Sequence, residues 1–276
     1  MIGQARLISE IKDFVASGVY PRFSIFIGES GSGKKVLGKE LSKMLKCNFI
    51  VWGNTVEDIR NLVEFMWEQK ETLVYCIPNY EEMSQGARNA ILKICEEPPN
   101  NAYIILTSTS KDIVLPTLLN RGQVFEMQDY TEDELHCIEK DNFGFDVGHS
   151  REDVDKMVKL CRVPGDLDKV RNIDVEDFME FVKLFWNNIS KASAGNALKV
   201  VSKLRIKEDS DTNLYDINIF LNYISKLNES LEDIYKRVKV FREILEARKN
   251  IQLKYNKQYI VDNFILKLRG ILNGDI

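Results

Sequence analysis

Five short runs rich in β-branched and aromatic residues punctuate the first half of the chain: Phe23–Ile27, Phe49–Val51, Leu73–Ile77, Tyr103–Leu106 and Val124–Met127. They are nearly continuous in apolar character, the pattern of strands buried on both faces. Between several of them the period changes. Leu37, Leu41, Met44 and Leu45 recur at helical spacing after the first run, as do Ala87, Ala90, Ile91, Ile94 and Cys95 before the fourth. Each set lies on one helix face, and Pro98-Pro99 stops the second helix because proline lacks the N–H that a helix needs. Strands alternating with helices need crossover connections, which predicts a largely parallel sheet covered on both sides.

Past Met127 no further strand is convincing. Three apolar stripes at helical spacing follow: Phe178, Phe181, Val182, Phe185, Ile189; then Leu231, Ile234, Tyr235, Val238, Phe241, Leu245; then Val261, Phe264, Ile265, Leu268, Ile271. The polar stretches Asp141–Arg151 and Lys207–Asn213 read as connections. The expected organisation is an α/β domain over 1–128, a small helical domain over 129–173 and a helical bundle over 174–276. A length of 276 residues is enough for two or three such domains.

Charge and composition narrow the function classes. Lys and Arg number 38 against 42 Asp and Glu, a formal net charge of −4, so the chain as a whole is no basic nucleic-acid binder. No apolar run reaches the ~18 residues of a membrane span, and no basic start precedes an apolar signal segment. A cytoplasmic protein without membrane contact is expected. The five cysteines, Cys47, Cys76, Cys95, Cys137 and Cys161, form no CxxC pair, and only His136 and His149 could join them. Small core residues in a reducing compartment are expected, and no metal site.

The strongest chemical signal follows the first strand. Gly28-Glu29-Ser30-Gly31-Ser32-Gly33-Lys34 has the spacing of a phosphate-binding loop set between a strand and a helix. Such a loop turns backbone N–H groups towards phosphate oxygens, and its lysine reaches the β- and γ-phosphates. The next position normally offers a hydroxyl to Mg²⁺, and here it is Lys35, whose ammonium has no lone pair. The third strand normally ends in an acid that also holds the metal, and here it runs into Pro78-Asn79. Glu81 and Glu82 come later, about 10 Å beyond that point if the backbone stays extended. Without metal ligand or base, phosphoryl transfer loses its main electrostatic support.

Other segments resemble the clamp-loader subunits of the AAA+ class. Ser84-Gln85-Gly86-Ala87-Arg88-Asn89-Ala90-Ile91-Leu92-Lys93-Ile94-Cys95-Glu96-Glu97-Pro98-Pro99 is similar to the helix and "EEPP" end that follow the second nucleotide motif in that family. Tyr103–Thr109 resembles the sensor-1 strand, and Leu115–Gly122 the segment that ends in Ser-Arg-Cys. Ile2-Gly3-Gln4 resembles the element near the adenine site, and Arg162–Leu167 the sensor-2 segment. The matches occur in family order over about residues 1–170, and the tail from Glu246 to Leu268 resembles, more weakly, the collar helices that join such subunits into a ring.

The resemblance implies an AAA+ P-loop domain with a five-stranded parallel sheet, a small helical lid and a C-terminal helical collar. The departures, Lys35, Pro78-Asn79 and Asp166 at the sensor-2 cation, point to a delta-prime-type subunit of a DNA polymerase III clamp loader that does not hydrolyse ATP by itself. The zinc module of many bacterial relatives is absent. The resemblance implies a hetero-oligomeric ring with other clamp-loader subunits, a sliding clamp and primed DNA as partners. It implies no required cofactor, with weak ATP or ADP binding without Mg²⁺ still open. Gly28, Ser30, Gly31, Gly33, Lys34 and Lys35 would form the degenerate nucleotide loop, Pro78 and Asn79 the degenerate acid position, and Thr109 and Asp166 the sensors. Arg121 would reach a neighbour's γ-phosphate as an arginine finger in trans, or alternatively form a salt bridge within its own domain. Arg88 would touch DNA, or simply be solvated. Two other readings stay open: an active ATPase (a clamp-loader motor or helicase loader) using Glu81 or Glu82, and a small-molecule phosphotransferase.

Overall fold

A computed structural model of the chain describes residues 1–143, 151–204 and 215–275. Backbone contacts divide the chain into two compact units, Met1–Glu134 and Leu135–Ile276. The expected organisation had three domains, over 1–128, 129–173 and 174–276. The segments expected as lid and collar lie together in the second unit.

The first unit contains β1 (Phe23–Ile27), β2 (Asn48–Val51), β3 (Leu73–Ile77), β4 (Ala102–Ser108) and β5 (Gln123–Glu126), in the order β2-β3-β4-β1-β5 with every pair parallel. Its helices are α1 (Ala5–Ala16), α2 (Lys34–Leu45), α3 (Val56–Glu68), α4 (Gln85–Glu96) and the short α5 (Pro116–Leu119). All five expected strands are present, with ends shifted by a residue or two. Alternation along the strands feeds two cores. Phe23, Ile25, Ile27, Tyr75, Ile77, Ile104 and Leu106 pack with Ile59 and Leu62 of α3 and Ala87 and Ile91 of α4. Phe26, Val74, Ile105 and Phe125 face the other way, onto Leu7 and Ile11 of α1 and Leu37 and Leu41 of α2. Burial of both faces is why the three central strands β3, β4 and β1 are almost wholly apolar.

Local chemistry sets the helix ends that matter for the site. The Thr55 hydroxyl accepts from the Asp58 N–H (3.1 Å) while Asp58 accepts from the Thr55 N–H (3.0 Å), a capping box that starts α3. Ser84 caps α4 by accepting from the Ala87 N–H (3.2 Å). At its other end, α4 stops at Glu96, ahead of the paired prolines.

The second unit is helical: α6 (Glu132–Phe143, beginning at the boundary), α7 (Arg151–Lys159), α8 (Pro164–Val170), α9 (Val175–Ile189), α10 (Ala194–Leu198), α11 (Ile217–Glu229), α12 (Ile234–Gln252) and α13 (Lys257–Asn273). The first and third predicted stripes fall on α9 and α13. On α12 the buried residues are Val240, Ile244 and Ala247, while the predicted members Ile234, Tyr235, Val238, Phe241 and Leu245 are exposed. The expected connections lie mostly outside the described residues.

Candidate nucleotide site

β1 delivers the chain to the phosphate loop at the carboxyl edge of the sheet, where ligands of open α/β sheets sit. The Gly28 N–H donates to the Ser108 carbonyl at the end of β4 (3.1 Å), which pins the loop's start. A Cβ on Gly28 would stand 2.7 Å from Met127 Cβ and 2.8 Å from Ser32 Oγ, so only glycine fits there. Gly33 has φ 90°, a left-handed turn that an L side chain strains to adopt, and it caps α2 without a side chain of its own. No side chain therefore accepts from the first N–H groups of α2, the kind of helix start that can donate to an anion.

Lys34 is 9% exposed and folds back over the loop, its Nζ donating to the carbonyls of Gly28 (2.5 Å) and Glu29 (2.8 Å). Burial pushes its ammonium down to about 8, while the nearby carboxylates of Glu81 and Glu29 act in the opposite direction. Lys35 is exposed, as is Ser30. Two buried hydroxyls in this region, Ser32 Oγ and Thr109 Oγ1, have no hydrogen-bond partner. Buried hydroxyls without a partner are uncommon, and beside such a loop they can serve as donors to an anion. The Tyr130 hydroxyl donates to the Ser32 carbonyl (2.8 Å), and Gln4 exchanges two hydrogen bonds with the Gln128 backbone (2.6 and 2.8 Å). The Ile2-Gly3-Gln4 element thus lies beside the loop, through a tyrosine that carried no sequence signal.

The end of β3 differs from the extended backbone assumed above. Asn79 turns left-handed (φ 55°), and its N–H donates to Thr107 Oγ1 (3.1 Å). The chain then closes into a 3-10 turn, Tyr80–Glu82. This turn returns Glu81 to the sheet edge, where its carboxylate accepts from the Thr109 N–H (3.3 Å). Glu82 goes elsewhere, accepting from Asn79 Nδ2 (3.1 Å). The expectation that both acids lie far beyond the strand end is therefore wrong for Glu81. Pro-Asn is itself a turn signal, since Asn tolerates the left-handed region.

Arg88, read as a DNA contact or else as a solvated side chain, is half-buried. Its guanidinium lies 4.9 Å from the centre of the Tyr80 ring, and Nη2 sits 3.5 and 3.4 Å from the carbonyls of Tyr80 and Glu81. It braces the turn that carries Glu81. Arg121 follows α5, donates to the Thr117 carbonyl (2.8 Å) and pairs with Glu96 (3.1 Å). Both side chains of that pair are about two-fifths exposed (41% and 42%), so the pair is weak. Asp166 is buried in the second unit. It accepts from the N–H groups of Arg162 (3.1 Å) and Val163 (3.4 Å) at the start of α8 and from Asn222 Nδ2 (3.2 Å), and Asn222 in turn accepts from Arg248 (2.8 Å). Its carboxylate ties α8 to α11 and α12, where a cation was the family expectation.

The Mg²⁺ that a working loop of this class holds does not suit these residues. Lys35 offers a cation where a hydroxyl is needed, and Pro78-Asn79 offers no carboxylate. A nucleotide's phosphates do suit them, through Lys34, the α2 N–H groups and the orphaned Ser32 hydroxyl.

Five parallel strands in this order, with the glycine-rich loop after β1 and β4 beside it, give the first unit an α/β fold of the P-loop type. The chain's fold is similar to that of the RuvB Holliday junction branch migration motor of Thermotoga maritima, with a TM-score of 0.52 at 16% identity, covering 96% of this chain and 88% of that one. Residues 51–131 match the family model described as DNA polymerase III, delta subunit. The DNA polymerase III gamma subunit of Buchnera aphidicola subsp. Baizongia pistaciae is 23% identical over 183 residues, 53% of this chain and 50% of the relative. The delta′ subunit of Haemophilus influenzae is 33% identical over 72 residues, 26% of this chain and 22% of the relative. Over these stretches the chain is similar to the gamma and delta′ subunits of DNA polymerase III. It spans about half the length of the gamma relative. Among the described residues no helix is long and apolar enough to cross a membrane.

Proposed function

We propose that this chain is a non-catalytic subunit of a DNA polymerase III clamp loader, packed beside an ATPase subunit and activating it in trans while a sliding clamp is placed on primed DNA. The observation that carries the reading is the pair of substitutions at one site: Lys35 after the loop lysine and Pro78-Asn79 at the end of β3. Two further features support it. Arg121 stands at the surface in a weak, exchangeable pair with Glu96, a bond that a neighbour's γ-phosphate would outcompete through charge. The exposed apolar stripe of α12 offers the second unit a face for a ring neighbour.

Reconstitution with the ATPase subunits tests this. Arg121→Ala should cut the ATPase of the assembled ring steeply, on the ~10³-fold scale of arginine fingers elsewhere, and leave assembly intact. Unchanged turnover with the variant present in the ring would remove the proposal. One observation favours a second reading, an active ATPase: Glu81 folds back to the sheet edge. Turnover of ATP by the purified chain, lost in Lys34→Ala, would establish that reading instead.

A further inference from the structure

The phosphate loop is surrounded by donors. Ser32 is 2% exposed, its hydroxyl lies without a partner next to Gly28, and the first N–H groups of α2 are uncapped. The Thr109 hydroxyl is a second orphan. The Thr109 N–H is the anchor of the Glu81 carboxylate, and the carbonyl of the preceding residue, Ser108, accepts from Gly28 at the loop's start. One residue of β-strand end thus separates the carboxylate's anchor from the loop.

The sequence around Glu81 fixes it there. The left-handed Asn79 turns the chain back, the buried Tyr80 plugs the turn into the core, and Arg88 lies over that ring and against the turn's carbonyls. Asn79 also draws Glu82 aside, so the two adjacent acids are held in different places. Glu81 is the strongest charge acting on the Lys34 ammonium, ahead of Glu29.

We propose that Glu81 is a resident anion of the phosphate loop, a carboxylate that offsets the loop's positive potential, so that a nucleoside di- or triphosphate enters only against its charge and without a metal. This rests on the reading of the loop as a degenerate phosphate site. A role as metal ligand is disfavoured because Lys35 stands where a metal-binding hydroxyl is needed and Pro78-Asn79 supplies no second carboxylate. Glu81 thereby becomes the residue that sets the affinity of the loop, and its substitution should turn a poor site into a better one.

Calorimetric titration of the full chain with ADP, in EDTA and again in Mg²⁺, tests this. Glu81→Gln keeps an oxygen for the Thr109 N–H while removing the charge. It should tighten ADP binding in EDTA by about tenfold, the scale of one partly screened like charge a few ångströms away. Glu82→Gln should change nothing, and adding Lys34→Ala to Glu81→Gln should erase the gain. Glu81→Ala must move affinity in the same direction, with melting curves checking that each variant folds. Unchanged affinity in Glu81→Gln, or an equal gain in Glu82→Gln, overturns the proposal. Weaker binding confined to Mg²⁺ would assign Glu81 to a metal and take the non-catalytic reading down too. No ADP binding by any variant overturns the resident anion alone, since the Arg121 experiment in the ring is independent of it.

Discussion

Helices α12 and α13 carry apolar stripes of similar length and spacing, and the protein uses them in opposite ways. On α13, Val261, Phe264, Ile265, Leu268 and Ile271 are all buried. On α12, Ile234, Tyr235, Val238, Phe241 and Leu245 are 46–84% exposed, while Val240, Ile244 and Ala247 fill the interior. α12 therefore has two apolar faces, and the described residues cover only one of them. Contiguous exposed apolar surface of this kind marks an interaction site. Charged groups divide in the same way. Asp166 and Lys34 are buried and matched within the chain, whereas Arg121 rests on an exposed partner that it can leave. Buried, matched groups hold a unit together; exposed, weakly matched ones add little to its stability.

The sharpest test of the inner side is Phe264→Ala on α13. Phe264 is 3% exposed, so removing its ring leaves a cavity and should cost about 3–5 kcal/mol, read as a large drop in melting temperature. A change under about 1 kcal/mol would mean that the α13 stripe is not the core face. Lys34 sharpens the polar half of the comparison. Its pKa is about 8 in the folded chain against an ordinary 10.5, because burial disfavours the ammonium. Below pH 8 both states carry the proton, and the folded state bears a penalty of at most about 3 kcal/mol. Between pH 8 and 10.5 the folded state gives up its proton first, so stability rises with pH there. Lys34→Met should therefore be favoured over wild type most at or below pH 7.5, with the advantage shrinking towards pH 10.5. Unfolding both proteins in parallel cancels groups that titrate the other way, such as Cys76, which burial pushes up to about 12. A pH-independent difference would show Lys34 to be solvated.

How far the sequence could be read follows from the same physics. The central strands were legible because burial on both faces leaves few polar positions in them, and β1 and β3 match their apolar runs residue for residue. Helices α1 and α3 were not identified. The capping box at Thr55 and Asp58 was the available signal for α3, while α1 starts after a left-handed Gln4 with no side-chain cap to mark it. The phosphate loop was legible because its glycines answer a local steric demand. Periodicity marked the α12 stripe but not its direction, since an apolar face reads the same whether it meets its own core or a partner. The return of Glu81 and the capture of Arg88 by Tyr80 depend on one left-handed residue, and Pro-Asn hinted at the turn without showing where it would carry the carboxylate.

The smallest change in stability is expected where the change in behaviour is greatest. Phe241 lies in the exposed α12 stripe at 48% exposure, so Phe241→Ser removes little buried area and should shift the stability of the isolated chain by about 0.5 kcal/mol or less. If the stripe is covered by a ring neighbour, the same substitution places a hydroxyl in an apolar interface, and a central aromatic of this kind can be worth 2 kcal/mol or more of association, roughly a thirtyfold loss of affinity. The two readouts must therefore separate: an unaltered melting curve for the chain alone, with poor incorporation into the reconstituted ring at dilute protein. Destabilisation on the scale of Phe264→Ala would show that α12 packs its stripe inward and erase the contrast between the helices. Normal folding with normal incorporation would leave the contrast but move the ring contact to another surface.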